Sequence, residues 1–168
     1  LVRLDFRFKE HIIEEVENHF STYLNEEPVC ILVRDFNPDY DYPNCENNHI
    51  NIPSKFYEKS IDILGRDRMY IICSNNIELT KKQKVFQGDN FIFNEVVPDD
   101  IYKGHFDLCL MSMCQDFIIS NSTFAWWGAW LGTGVGKRVL IPTPWYGPGL
   151  SHISTDDLYP DEWEKIEW

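Results

Sequence analysis

The 168-residue chain has no apolar run approaching the roughly 18–20 residues that cross a bilayer, and its N-terminus lacks the pattern of a signal peptide. Basic residues are scarce: 15 Lys and Arg stand against 27 Asp and Glu, a formal net charge of −12. That balance argues against nucleic acid as a partner, because its phosphates need a positive footprint. A nucleotide ligand is still compatible, since one Arg and a helix N-terminus suffice to hold a diphosphate. The five cysteines (Cys30, Cys45, Cys73, Cys109, Cys114) form no CxxC pair and the five histidines no zinc-like cluster. Cys30, Cys73 and Cys109 sit in apolar runs, as reduced core residues do, and favour a reducing compartment. There is no internal repeat and no low-complexity tract. The chain opens on Leu1 rather than Met, as a fragment or trimmed chain would.

What is present is 43% hydrophobic and 15% aromatic residues, a globular composition rich in rings and large enough for one domain. Phe8, Ile12, Ile13, Val16, Phe20 and Leu24 recur at helical spacing and predict an amphipathic helix over 8–24, ended by Pro28. Residues 29–33 are continuously apolar, as in a strand buried on both faces. A long loop rich in Asn, Asp, Tyr and Pro follows over 37–53, and such loops in compact domains are usually functional. Further expectations are a helix over 54–64, capped by Ser54 and stopped by Gly65, and a strand over 69–73. A helix over 80–86, a strand over 90–97, a buried helix over 104–114 and a strand over 117–120 come next. A helix over 124–131 and a strand over 139–141 complete the series. The alternation predicts an α/β fold, a Rossmann-like parallel sheet with helices on both faces. Ligands of such sheets bind beyond the carboxyl ends of the strands, where three polar loops fall, after Val33, after Cys73 and after Ser120.

Each loop carries candidate chemistry. Arg34 can fork two N–H bonds onto a phosphate or a guanine edge, or pair with Asp35 or Asp39. Ser74, Asn75 and Asn76 can donate and accept, or can form a plain turn. In the third loop, Ser120, Asn121, Ser122 and Thr123 precede Phe124 and three tryptophans, Trp126, Trp127 and Trp130. Ser and Thr cap helices, and a capped helix start offers free N–H donors and a partial positive charge to a phosphate. The alternative is a well-capped core helix. Three tryptophans, whose buried indole N–H groups need partners, favour a built site. Asn121-Ser122-Thr123 is formally a glycosylation sequon, set aside because its flanks are expected to be buried. Asp39-Tyr40-Asp41 is formally an Asp-X-Asp triplet, expected to face solvent, so no metal ligand set is expected.

Residues 118–131 closely resemble the C-terminal motif of the α-1,2-fucosyltransferases of glycosyltransferase family 11, with Ala125 alone departing from the usual Ser. Arg34 fits the first Arg of that family's His-X-Arg-Arg-Gly-Asp-Tyr motif; Leu32 stands for its His, and Asp35 and Phe36 for its second Arg and Gly. Residues 72–76 resemble its Phe-Ser-(Asp/Asn)-Asp loop, with Asn76 at the final Asp. Residues 56–61, 107–114, 142–145 and 157–163 are similar to its helices, last strand and tail. The resemblance implies that 28–168 is the nucleotide-sugar binding lobe of a GT-B-type transferase. Residues 1–27 would be an N-terminal helix, the remnant or end of an acceptor-side domain.

The implied reaction is inverting transfer of L-fucose from GDP-β-L-fucose to the 2-hydroxyl of a galactoside, with no metal or other cofactor. Arg34 is implied as the catalytic and donor-binding cation. Ser74, Asn75, Asn76, Asn121, Ser122, Thr123 and Phe124 are the further donor contacts. The implied partners are GDP-fucose and a galactose-containing glycan, with peripheral membrane association. The implied location is the cytoplasm or the cytoplasmic membrane face of a bacterium, or the Golgi membrane of a eukaryote. Leu32, Asp35, Phe36 and Asn76 leave a second reading open: a non-catalytic nucleotide-sugar or glycan binding domain, or an inactive fragment of such an enzyme.

Overall fold

The computed structural model describes residues 5–37, 39 and 41–168. Six parallel strands form one sheet: β1 (Val29–Val33), β2 (Tyr70–Ser74), β3 (Phe91–Phe93), β4 (Asp116–Ile119), β5 (Val139–Thr143) and β6 (Glu164–Glu167), in the order β3-β2-β1-β4-β5-β6. The order reverses between β1 and β4, which pair in register from Val29 with Asp116 to Leu32 with Ile119. A crevice opens at such a switch point, outside the carboxyl ends of the two strands. The expected Rossmann-like α/β fold is the one observed.

Alternation along β1 divides the core. Cys30 and Leu32 face one layer, where Ile12, Val16 and Phe20 of α1 (Glu10–Leu24) meet Phe106 and Leu110 of a later helix. Val29, Ile31 and Val33 face the other, against Phe56, Tyr57 and Ile61 of α3 (Ser54–Leu64). All five residues of β1 are buried, as a strand covered on both sides requires. α2 (Cys45–Asn48) is a short turn of helix inside the long loop, α4 is Ile77–Lys81, α5 is Lys103–Ser112 and α6 is Thr123–Leu131. All five cysteines are free and buried.

Several expected boundaries shift. The first helix starts at Glu10, leaving Phe8 outside it. Pro53, not Ser54, occupies the cap position of α3 and makes no side-chain cap bond; Ser54 is the first helical residue and donates to Gln83 Oε1. Gly65 does end α3, at φ 110°, where a side chain would be strained. The helix expected over 80–86 is instead α4 followed by a 3₁₀ turn at Lys84–Phe86, because Asn76 caps the chain earlier by accepting from Leu79 N–H. The strand expected over 90–97 stops at Phe93. Asn94 turns inward there, and Val97 lies out in solvent. β6 escaped notice as a strand: only Ile166 of its four residues is buried, so it shows no apolar run.

Candidate functional site

The carboxyl ends of β1 and β4 deliver the two motifs to opposite lips of the switch-point crevice. Arg34 leaves β1 half-buried, and its guanidinium is held by Asp41, seven residues on, whose other carboxylate oxygen accepts from Asn37 N–H at 2.9 Å. The partner of Arg34 is therefore neither Asp35 nor Asp39. Asp41 does not face solvent as expected of the Asp-X-Asp triplet; only Asp39 does, and Tyr40 lies outside the described residues. The guanidinium carbon sits 4.9 Å from the Phe36 ring centre, and the His49 ring stacks on Phe36 with ring centres 4.7 Å apart. Phe36, which departs from the family pattern, thus packs against both Arg34 and His49. Burial, and next the charge of Arg34, push the pKa of His49 below that of a free imidazole, so the ring is neutral near pH 7.

Opposite, Ser122 caps α6 by accepting from Ala125 N–H at 3.4 Å. Thr123 is exposed, and the start of α6 faces the crevice. At the far end of the helix Lys137 Nζ reaches the carbonyls of Ala129, Trp130 and Gly132, complementing the negative end of its dipole. Asn121 is buried, its Nδ2 donating to the carbonyls of Ile50 and Trp145 at 3.0 Å each. It ties three loops together, and as the Asn of the sequon it is turned inward.

The second loop is stitched to the first. Asn75 Oδ1 accepts from Asp35 N–H at 2.8 Å while its Nδ2 donates to Asp35 O at 2.9 Å, and Asn76 Nδ2 donates to the Asp35 carboxylate. Ser74 Oγ accepts from Asn76 N–H and from Thr80 Oγ1. Asp35 is thereby a strut between loops, a role well served by a residue other than the family's Arg.

Two cavities flank the Arg34–Ser122 pair, and both residues line both. The larger, about 450 Å³, lies over β1 and β2, with Leu32, Val33 and Cys73 as its floor and Ser74, Asn75 and Phe124 on its rim. The smaller, about 300 Å³, lies on the β4–β5 side, among Phe36, His49, Asn121, Thr123, Trp145 and Tyr146. Both volumes reach the range of ligand pockets, about 300–1,000 Å³. Of the expected site residues, Asn76 lines neither cavity; it lies behind Asp35.

The structure adds residues that the sequence reading passed over. Tyr102, Lys103, Gly104 and Asp107, at the start of α5, form a wall of the larger cavity. Asp107 Oδ1 accepts from Asn94 Nδ2 and from Lys103 Nζ, each at 2.7 Å. Burial nevertheless pushes the carboxyl pKa up, against the pull of these donors. A carboxylate in a chamber with an apolar floor is an acceptor for a ligand's N–H groups. The apolar Phe-x-x-Cys-Leu-Met pattern of α5 had marked it only as core.

The tryptophans line neither cavity: none of Trp126, Trp127 and Trp130 belongs to their walls. Trp126 donates from Nε1 to Leu158 O at 2.8 Å and packs on Trp163, and Trp127 lies partly exposed against Phe6. They anchor the outer face of α6 to the C-terminal tail and the N-terminal segment, and so hold the helix start in place from behind. Among the described residues, no group of three His, Cys, Asp or Glu side chains is placed to hold a metal ion, and no helix is long and apolar enough to cross a membrane.

The chain belongs to glycosyl transferase family 11, whose model matches residues 3–167. It is similar to the O-antigen biosynthesis glycosyltransferase WbnK of Escherichia coli, 31% identical over 119 residues that cover 68% of this chain and 38% of WbnK. It is also similar to an alpha-1,2-colitosyltransferase of Escherichia coli, 33% identical over 119 residues, 67% of this chain and 39% of that protein. The chain thus spans about two-fifths of the length of these curated relatives. Among solved structures, a family 9 glycosyl transferase from Veillonella parvula DSM 2008 shares the fold. Its TM-score is 0.53 at 14% identity, covering 97% of this chain and 42% of that one.

Proposed function

We propose that the chain is the nucleotide-sugar binding part of a glycosyltransferase that moves L-fucose from GDP-β-L-fucose to the 2-hydroxyl of a galactoside, with inversion and without a metal. The observation that carries this reading is the meeting of Arg34 and the capped start of α6 at the switch point, between two cavities. A leaving nucleoside diphosphate gathers negative charge as the sugar departs, and a preoriented cation with free N–H donors stabilises that charge. Family membership favours glycosyl transfer. The alpha-1,2-colitosyltransferase relative favours a 1,2-linkage. The fucosyl donor and galactoside acceptor rest on the motif resemblance at 118–131.

The test is GDP release from GDP-fucose with lactose as acceptor, beside calorimetric titration of GDP. Release above the acceptor-free rate supports the transferase. GDP binding without release supports the non-catalytic reading, which Leu32 and Asp35 favour. No affinity for GDP at all removes both.

A further inference from the structure

The smaller cavity carries more than an empty volume. His49 Nδ1 and Asn121 Oδ1, from two of its lining residues, are both buried and without a hydrogen-bond partner. Buried polar atoms in folded proteins are nearly always paired, and two orphans at one cavity call for an explanation. The walls that carry them are fixed. Gly147 N–H donates to Asn48 O at 2.7 Å, and a Cβ on Gly147 would stand 2.5 Å from Asn47 O. Only glycine permits that approach, and it locks the His49 loop onto the loop bearing Trp145 and Tyr146. Such a chamber combines aromatic walls with unsatisfied polar atoms and the Thr123 hydroxyl, the chemistry of a pocket for a polyhydroxylated ring.

We infer that the smaller cavity is a hexopyranose subsite, in which His49 and Asn121 meet hydroxyls of the sugar half of a nucleotide sugar. The inference rests on the reading that the diphosphate lies at Arg34 and Ser122, the residues shared by both cavities. A nucleotide sugar has the same layout, with a diphosphate between two uncharged ends of unequal size. The larger chamber takes the nucleoside and the smaller the sugar. Phe36 packs against both Arg34 and His49, and so ties the phosphate grip to the sugar's pocket.

The test compares GDP with GDP-fucose by calorimetry on the wild-type chain, His49→Phe and His49→Gln. Phenylalanine preserves the stack on Phe36 and removes both ring nitrogens; Gln keeps hydrogen-bonding capacity. Wild type should bind GDP-fucose more tightly than GDP. His49→Phe should lose about three- to ten-fold for GDP-fucose, the worth of one hydrogen bond, with GDP affinity unchanged. His49→Gln should recover part of the loss. The melting curve of His49→Phe should stay at or above that of wild type, because an orphaned buried nitrogen is removed and the ring on Phe36 is kept. An unchanged ratio of GDP-fucose to GDP affinity in His49→Phe overturns the subsite, as does equal affinity of wild type for the two ligands. Failure of wild type to bind GDP overturns the underlying reading instead, and the subsite with it.

Discussion

The two ends of the sheet treat polar groups in opposite ways. At the amino ends, every strand start is sewn to its neighbours. Asp116 Oδ2 accepts from Arg68 Nη1 at 2.5 Å and its Oδ1 from Arg138 N–H at 2.6 Å; Arg68 Nη2 donates to Glu27 O, and Arg138 pairs both oxygens of Glu164. At the carboxyl ends, Ser120 Oγ, Asn121 Oδ1 and His49 Nδ1 are buried and unpaired. They are three of the five such side-chain atoms among the described residues, the others being Tyr57 Oη and Ser60 Oγ in α3. A closed polar seam serves stability, whereas unpaired atoms at the open end are what the proposed site would use. The difference separates the residues that keep the fold from those that use it.

The largest effect expected of breaking that contrast is at the seam. Asp116→Ala removes a charge-assisted bond from Arg68 and orphans the Arg138 N–H, at a cost of about 3 kcal/mol. Urea denaturation should show the loss, while the GDP affinity of the folded fraction stays at the wild-type level. At the open end the order reverses. Thr123→Val should leave the denaturation midpoint in place and weaken GDP by about 1 kcal/mol, with a smaller effect on guanosine, as titration of both ligands would show.

A finer test uses Asp107, which lies at the open end yet is bonded on one oxygen. Its pKa is raised in the fold, so the native state binds the proton more readily than the unfolded chain. Ionisation of Asp107 therefore costs stability above the folded pKa, and that cost disappears as pH falls through it towards the unfolded value. Asp107→Asn should melt slightly higher than wild type at pH 7 and at the same temperature in acid below both pKa values. Melting curves across pH check the sign. Smallest of all, loss of the exposed Arg138–Glu164 pair in Glu164→Gln should shift the melting temperature by a degree or so, and less in high salt.

How far this contrast can be read from sequence differs between its halves. Arg34 stood out because its position follows from a strand end, the first polar residue after an apolar run, and Ser122 because it has a capping residue's place just before an apolar helix. The Rossmann-like α/β class was equally legible, since β1 and residues 117–119 of β4 are continuous apolar runs. Asp41 was misjudged because the loop doubles back, and spacing along a loop carries no direction. Asp107 was hidden by its apolar neighbours, for a helix that is core on one face still presents its first turn to the crevice. The tryptophans misled for a related reason: their size signalled a built site, but packing it from behind served them as well as lining it. The amino-end seam joins Glu27, Arg68, Asp116, Arg138 and Glu164 across 138 positions of chain, and only the sheet brings them together.

The central claim is that Arg34 clamps a diphosphate at the carboxyl end of β1. Calorimetric titration of GDP and guanosine against wild type, Arg34→Ala and Arg34→Lys, beside their melting curves, tests it most directly. Loss of the clamp should weaken GDP by roughly 1.5–3 kcal/mol, about 10- to 150-fold, with guanosine little affected. Lys should restore only part, lacking the planar fork. The melting temperature should fall in Arg34→Ala and less in Arg34→Lys, because Asp41, only 14% exposed, loses its cation. Equal affinity of wild type and Arg34→Ala for GDP would contradict the account.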